Sequence, residues 1–380
     1  MIPYSDIWIE DDDILQVIAT LKSGYNSSLP KVAEFEKDFA KYLGVKYAVA
    51  LNSGTSALHA SMFATGIKKG AEVITTPMTF AAASNSVLYM EGTPVFSDID
   101  KKTYNLDPTL IESKITNNTK ALVPVHYTGQ PCDMDPIMQI AKDKGLYVIE
   151  DASHSPGATY KGTKTGTHGD ATVFSFHPVK HIATYEGGMV TTNNEEIYDK
   201  VRLFRSHGIT RERTKMGYTP KTDEDWCSDQ IYLGYNYRMT DLQATLGISQ
   251  LKKIDRSLKI RREYAKRYTE AFASLDFVTT PYQLPGTDSA WHLYALQLNP
   301  NKLGMSRAQV FHKLRNLNVG VWVHYMPVYY LSYYRALGYA KGQCTNAENL
   351  YENILSIPLF PKMKTSEIDF VINTIKSLRG

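Results

Sequence analysis

GLYVIEDASHSPGATYKGTKTGTHGDATVFSFHPVKHIATYEGGMVTTN (145–193) holds three short apolar runs separated by turn-forming residues. They are GLYVIEDAS (145–153), ATVFSF (171–176) and GGMVTTN (187–193), each rich in β-branched or aromatic side chains. Runs of that length, apolar almost throughout, read as strands buried on both faces. The same texture recurs upstream in KYAVAL (46–51), AEVITTP (71–77), TPVFSDID (93–100) and KALVPVHYTG (120–129). Helical patterns lie between them. SGTSALHASMFATG opens a helix with hydroxyl residues, and PIMQIAKDKG (136–145) closes on Gly145, a left-handed cap. Strands alternating with helices predict an α/β fold: a large, mostly parallel sheet covered on both faces.

Beyond residue 236 the character changes. From Tyr237 to about Phe272 the pattern predicts one long, charged, amphipathic helix. WHLYALQL, SRAQVFHKLRNLN, GVWVHYMP and SEIDFVINTIKSL then read as strand, helix, strand and helix. They predict a smaller C-terminal α+β domain, dividing the chain into a large domain, 1–250, and a small one, 251–380. GITRERTKMGYTPKTDEDW (208–226) reads as a polar loop.

Composition narrows the function classes. The 380 residues carry 42 Lys and Arg against 39 Asp and Glu, with 43% hydrophobic residues. That balance suits a folded core and gives no basic field for nucleic acid. No apolar run reaches the length of a membrane span. The acidic start, MIPYSDIWIEDDDI, does not read as a secretory signal. Cys132, Cys227 and Cys344 are too scattered for a disulfide framework or a metal knuckle, so a cytoplasmic protein without a metal site is expected.

In an open α/β sheet, ligands bind at the carboxyl ends of the strands. Asn52-Ser53-Gly54-Thr55-Ser56 follows the first strand. It reads either as a turn whose backbone N–H groups cradle a phosphate or as a plain helix cap. Glu150 and Asp151 end another strand, as a reactive carboxylate or as a solvated acidic edge. Ser175, His177 and Lys180 form a turn after ATVFSF, where a lone lysine is a reagent or a surface charge. G-x-G-x-x-G, G-x-x-x-x-G-K-[ST], H-E-x-x-H and G-x-S-x-G are absent, which removes the main support for nicotinamide, P-loop, zinc-protease and hydrolase readings. A phosphate turn, a strand-end Asp and a Lys are the set that pyridoxal phosphate needs. Phe80, in TPMTFAAASN, is placed to stack on its ring.

EDASHSPGATYKG, HGDATVFSFHPVKHIATYEGGMVTTN and LGYNYRMTDLQATLGISQL are similar to signature blocks of the DegT/DnrJ/EryC1/StrS sugar aminotransferases. So are NSGTSAL, TPMTFAAASN, PVFSDIDKKTYNLDP and HYTGQPCDM, and the resemblance runs in order along essentially the whole chain. It implies a fold type I transferase that uses pyridoxal 5′-phosphate and works as a homodimer with shared sites. On it Lys180 matches the lysine that bonds the cofactor, and Asp151 the partner of the pyridine nitrogen. Gly54, Thr55 and Ser56 match the phosphate turn, and Ser175 a phosphate or substrate contact. Phe80 matches the stacking aromatic, Gln130 and His154 residues lining the cofactor, and Asn236 a residue reaching the neighbouring subunit's site. Sugar 3-dehydratases of the family carry His where its aminotransferases carry Lys, so Lys180 favours transamination.

IPYSDIWIEDDDI, FSFHPVK, FRSHGI and GVWVHYMPVYY resemble the branch that serves pseudaminic acid biosynthesis. That branch aminates C4 of a UDP-linked 4-keto-6-deoxy-N-acetylhexosamine of L-altro configuration, taking the amino group from L-glutamate and leaving 2-oxoglutarate. It implies substrate contacts from Tyr4, Gly24, Tyr25, Asn26, Ser27, Trp322, Val323, His324 and Tyr325, with Gly54, Ser175 and Asn236 shared. A core strand of the small domain is the other reading of WVHY. Tyr185 stands before EGG where many relatives carry a small residue. Perosamine, bacillosamine or 4-amino-arabinose precursors are alternative substrates, and a cofactor-binding protein without turnover is the alternative class.

Overall fold

The computed structural model describes residues 1–24 and 30–379. Tyr25, Asn26 and Ser27 lie outside the described residues. Seven strands build the main sheet: β1 (Tyr47–Leu51), β2 (Glu72–Thr75), β3 (Thr93–Phe96), β4 (Thr119–Val123), β5 (Tyr147–Asp151), β6 (Ala171–Ser175) and β7 (Gly188–Thr192). Their spatial order is β1-β7-β6-β5-β4-β2-β3. Pairs from β6 to β3 are parallel, while β7 runs antiparallel to both β6 and β1. Most residues of these strands are buried, as a sheet covered on both faces requires.

The principal helices are α1 (Asp11–Lys22), α2 (Pro30–Leu43), α3 (Gly54–Ala64), α4 (Ala82–Tyr89), α5 (Met134–Lys144), α6 (Glu195–Arg205), α7 (Asp241–Leu251), α8 (Ile254–Phe272), α9 (Arg307–Asn316) and α10 (Thr365–Lys376). On one face of the sheet, Leu58 and Met62 of α3, Val87 of α4 and Val201 and Phe204 of α6 pack on Val49, Val73, Ile149 and Val173. On the other, Phe35 and Phe39 of α2 and Ile248 of α7 close over Phe174, Phe176 and Met189. Gly145 ends α5 with φ 64, in the left-handed region expected of it.

The single long helix expected over 237–272 is two. Thr240 caps α7 through a capping box with Gln243, and the chain turns at Lys252 and Lys253 before α8 begins. There the Lys253 ammonium is drawn to Glu10, Asp12 and Asp13 at 3.1, 2.5 and 2.8 Å. Ile254 and Leu258 of α8 pack with the large sheet, while Ala265, Tyr268 and Phe272 enter a second core. That core covers a small antiparallel sheet, β8 (Val278–Thr279), β9 (Tyr294–Leu298) and β10 (Ile354–Ile357). Ile2 packs against it too, because the chain start pairs beside Val319.

The strand expected at GVWVHYMP does not form. A single bridge joins Trp322 to Ser356, and the following backbone is bonded elsewhere: Tyr127 Oη donates to the His324 carbonyl and Val328 N to the Pro77 carbonyl. Within 208–226 the polar loop holds, apart from Ile209–Thr210 pairing with Asp229–Gln230 and a short 3-10 turn over Arg213–Lys215. Among the described residues, no helix is long and apolar enough to cross a membrane.

Candidate active site

A cavity of about 510 Å³ opens where the carboxyl ends of β5 and β6 meet the first turn of α3. The turn is built by close approach. Ser53 and Ser56 cap α3 reciprocally: Ser56 N donates to Ser53 Oγ at 3.0 Å and Ser53 N to Ser56 Oγ at 3.1 Å. A Cβ on Gly54 would stand 2.9 Å from Ser175 Cβ, and one on Gly188 2.3 Å from the Ser53 carbonyl oxygen. Only glycine lets the turn rest on β6 and β7 in this way. Ser53, Gly54 and Thr55 thus present the positive end of α3 to the cavity, where an anion is favoured. Ser56 does not line it; its hydroxyl belongs to the cap.

Successive residues of β5 face opposite ways, and the two carboxylates at its end have separate jobs. Glu150 is wholly buried. It takes hydrogen bonds from His126 Nε2 at 3.0 Å, Gly169 N at 2.7 Å, His168 N at 3.1 Å and Thr172 Oγ1 at 2.9 Å. Burial pushes its pKa up, but these donors, His126 foremost, hold it down at about 2. His126 Nδ1 accepts from Cys132 N at 3.1 Å, so Nε2 carries the proton given to Glu150. Asp151 instead lines the cavity, also buried, with Oδ1 accepting from Ser153 N at 3.0 Å. The solvated acidic edge is therefore excluded.

Lys180 sits in a turn after β6, its N–H bonded to the His177 carbonyl at 2.9 Å. Burial pushes its amine down to about 8, while the Asp151 carboxylate acts in the opposite sense. Burial disfavours the ammonium, so an appreciable neutral fraction exists near neutrality. Lys180 is half-buried on the wall of the cavity that Asp151 also lines, which argues against a plain surface charge. An amine, a carboxylate and a glycine-made anion cradle on one cavity fit pyridoxal phosphate.

The inner wall is aromatic and uncharged. His154 Nε2 meets Tyr325 Oη at 3.2 Å, and its ring lies 4.4 Å from His292, which lies 5.5 Å from His181. Burial holds all three imidazoles well below their ordinary range. His324 is pushed down to about 3 by burial, with Nδ1 2.9 Å from Ser356 Oγ. Tyr4 and Trp322 form the outer wall.

Of the residues singled out in sequence, the cavity gathers Tyr4, Ser53, Gly54, Thr55, Phe80, Asp151, His154, Ser175, His177, Lys180, Trp322, His324 and Tyr325. Phe80 stands at its mouth, 65% exposed. Gln130 does not line the cavity: it is buried, with Oε1 accepting from Leu284 N at 2.6 Å. Val323 is turned into the core. Gly24 lies in the turn after α1 with φ 67, and Asn236 is exposed, neither on this cavity. Tyr185 is 62% exposed with φ 64. Sequence reasoning missed Ser153, Glu186 and His292, which line the cavity; a histidine inside the apolar run WHLYALQL was the available signal.

Three kinds of likeness accord with this geometry. The Bacillus subtilis spore coat polysaccharide biosynthesis protein SpsC is 43% identical over 379 residues, covering 99% of this chain and 97% of that one. A Campylobacter jejuni UDP-4-amino-4,6-dideoxy-N-acetyl-beta-L-altrosamine transaminase is 39% identical over 381 residues, covering 100% and 97%. The PLP-form structure of the 'putative sugar aminotransferase Spr1654' from Streptococcus pneumoniae superposes with a TM-score of 0.91 at 30% identity, covering 100% of this chain and 98% of that one. The model of the DegT/DnrJ/EryC1/StrS aminotransferase family matches residues 8–376. With the amine, the carboxylate and the anion cradle in place, the chain is an aminotransferase of the DegT/DnrJ/EryC1/StrS family.

Proposed function

We propose that this enzyme uses pyridoxal 5′-phosphate to move an amino group from L-glutamate to C4 of a UDP-linked 4-keto-6-deoxy-N-acetylhexosamine of L-altro configuration. The observation that carries the reading is one cavity holding Lys180, Asp151 and the start of α3. When bound, pyridoxal phosphate supplies an aldehyde that takes up the amino group and a ring that accepts the electron pair released at the donor's Cα. Gly54 and Thr55 offer backbone N–H groups to the phosphate, and the Ser175 hydroxyl lies beside them. Asp151 keeps a proton on the ring nitrogen. Lys180 Nζ takes the proton from glutamate Cα and later returns one to C4 of the sugar; its lowered pKa suits a base at neutral pH. The uncharged imidazole wall and Tyr325 keep water from the reacting carbon.

Both half-reactions share the cavity, so ping-pong kinetics follow. Support for the sugar comes from the sequence blocks at both ends of the chain and the name of the Campylobacter relative. We further infer a homodimer in which Asn236 serves the neighbouring subunit's site. The test is a screen of cofactor-loaded protein, first with glutamate alone and then with UDP- and dTDP-linked keto sugars. Bleaching of the cofactor absorbance by glutamate and amination of the L-altro UDP sugar are expected. Amination of another sugar alone overturns the substrate, and absence of bleaching overturns the chemistry.

A further inference from the structure

The chain start lies across the segment that carries the outer wall of the cavity. Val319 and Val321 are wholly buried while Trp322 is 49% exposed. Gly320, Trp322 and His324 alternate with those core positions. Ile2 N donates to the Asn318 carbonyl at 2.8 Å and Gly320 N to the Ile2 carbonyl at 2.7 Å, and Leu359 N donates to the Tyr4 carbonyl at 3.3 Å. A Cβ on residue 320 would stand 2.7 Å from Ile2 O, 3.1 Å from Pro3 Cα and 3.2 Å from Tyr4 N. Two of those three are carbonyl and amide atoms and the third is a Cα, so backbone would have to give way. The missing side chain at 320 is the slot in which residues 2–4 lie. Their exit places the Tyr4 ring 6.3 Å from Trp322, nearly parallel at 23°, and 5.5 Å from His324. All three rings line the cavity.

We propose that residues 2–4 form a strap seated by Gly320, and that Gly320 is a positioning residue which sets nucleotide-sugar affinity through Tyr4. The proposal rests on the reading of the cavity as a nucleotide-sugar site. A flat aromatic face held in a fixed place offers a stacking surface to a base or sugar ring at little entropic cost. Tyr4 held only by its own rotamers would first have to be ordered. Strap and glutamate chemistry sit at different places: Asp151 ends β5 and Lys180 lies in the turn after β6 of the large sheet, while Gly320 belongs to the small layer. Disturbing the strap should therefore move the affinity for the nucleotide and leave the glutamate half-reaction alone.

The experiment is a double-mutant cycle on cofactor-loaded enzyme, with Tyr4→Ala, Gly320→Ala and both together. UDP is the binding probe, read by calorimetry, and glutamate-driven bleaching of the cofactor by Gly320→Ala, whose residue lies outside the cavity lining, is the control. Each single change should weaken UDP about 5- to 50-fold. The double variant should bind within about 2-fold of Tyr4→Ala alone, because residues acting as a unit are not additive. Tyr4→Phe, which keeps the ring, should bind nearly as wild type. If circular dichroism shows Gly320→Ala unfolded, Ile2→Pro replaces it, removing the N–H bonded to Asn318. Losses that multiply in the double variant overturn the strap, as do unchanged UDP affinity on unseating it or equal damage to the glutamate half-reaction. Failure of the wild-type enzyme to bind UDP overturns the nucleotide-sugar reading and the strap with it.

Discussion

An amine on a solvated lysine is half neutral at a pH of about 10.4; that of Lys180 reaches this point near pH 8, because burial disfavours the ammonium. The sign decides the pH dependence. Below pH 8 the ammonium dominates and each further unit removes about nine-tenths of the free amine, while above it the amine saturates. Covalent loading of the apoprotein with pyridoxal phosphate should thus rise with pH to a plateau with its midpoint near 8, read by stopped-flow absorbance. A midpoint above 10 would mean that the amine is solvated. Asp151→Asn removes the carboxylate that raises this pKa, so the midpoint should fall. The same change removes the charge that keeps the ring nitrogen protonated, and glutamate-driven bleaching should slow by about 100-fold or more. Cofactor affinity should change far less, since the anion cradle is intact; equilibrium dialysis of the cofactor checks this. The placement of Lys180 and Asp151 on the cavity was legible in the sequence, because a residue at or just after the end of a buried strand is delivered to the sheet's carboxyl edge by local structure alone. Gln130 was not, because its hydrogen-bond partner lies 154 residues downstream and no local pattern points to it. Ser56 was ambiguous for another reason: a helix cap and a phosphate turn ask for the same residue types, and in the structure its hydroxyl sits in the cap.

At the scale of elements, α7 shows where local reading ends. Its pattern continues smoothly into α8, and at the break Lys253 is held by tertiary contacts with Glu10, Asp12 and Asp13 of the N-terminal segment, which no local pattern announces. The expected strand at GVWVHYMP failed for a related reason. Its alternation is real, with Val319 and Val321 inward, but its backbone partners are a strap, a bridge and a tyrosine rather than a ladder. The strands of the large sheet were legible because burial on both faces demands continuous apolar runs, which no long-range contact needs to explain. Helix packing gives the stability test. Gly247 brings α7 down onto Phe35, where a Cβ would stand 2.6 Å from the ring. Phe35 is wholly buried, with ring centroids 5.9 Å from Phe39 and 5.3 Å from Phe176. The ring has nowhere to go, so Gly247→Ala should cost about 1–3 kcal/mol by overpacking, more than the helix propensity it gains. Calorimetry should show Tm lower by a few degrees, with turnover per folded molecule unchanged. A Tm at or above wild type would mean that α7 can lift from α2 without loss.

The whole molecule raises the question of Asn236, which the sequence resemblance assigns to a site that the single chain does not give it. It is exposed and absent from the cavity lining. It is no helix cap, because Thr240 caps α7. Its backbone bridges to Ser206 and its carbonyl accepts from Asn52 Nδ2 at 3.5 Å, so the residue is anchored near the carboxyl end of β1 with its side chain free to face a neighbour. In a two-fold dimer any contact it makes across the axis is made twice. Two variants, Lys180→Ala and Asn236→Ala, are then each inactive or impaired for different reasons. If their subunits exchange, one site of a mixed dimer carries both lesions and the other carries neither. Random pairing makes about half of the dimers mixed, so roughly a quarter of all sites should recover. If Asn236 instead serves its own chain, every site keeps a lesion and mixing restores nothing. Mass spectrometry of differently tagged subunits measures the exchange, so absence of recovery with exchange complete rejects the shared site. Asn236→Ala alone with wild-type turnover rejects it sooner, since a residue that a neighbouring site needs cannot be removed without cost.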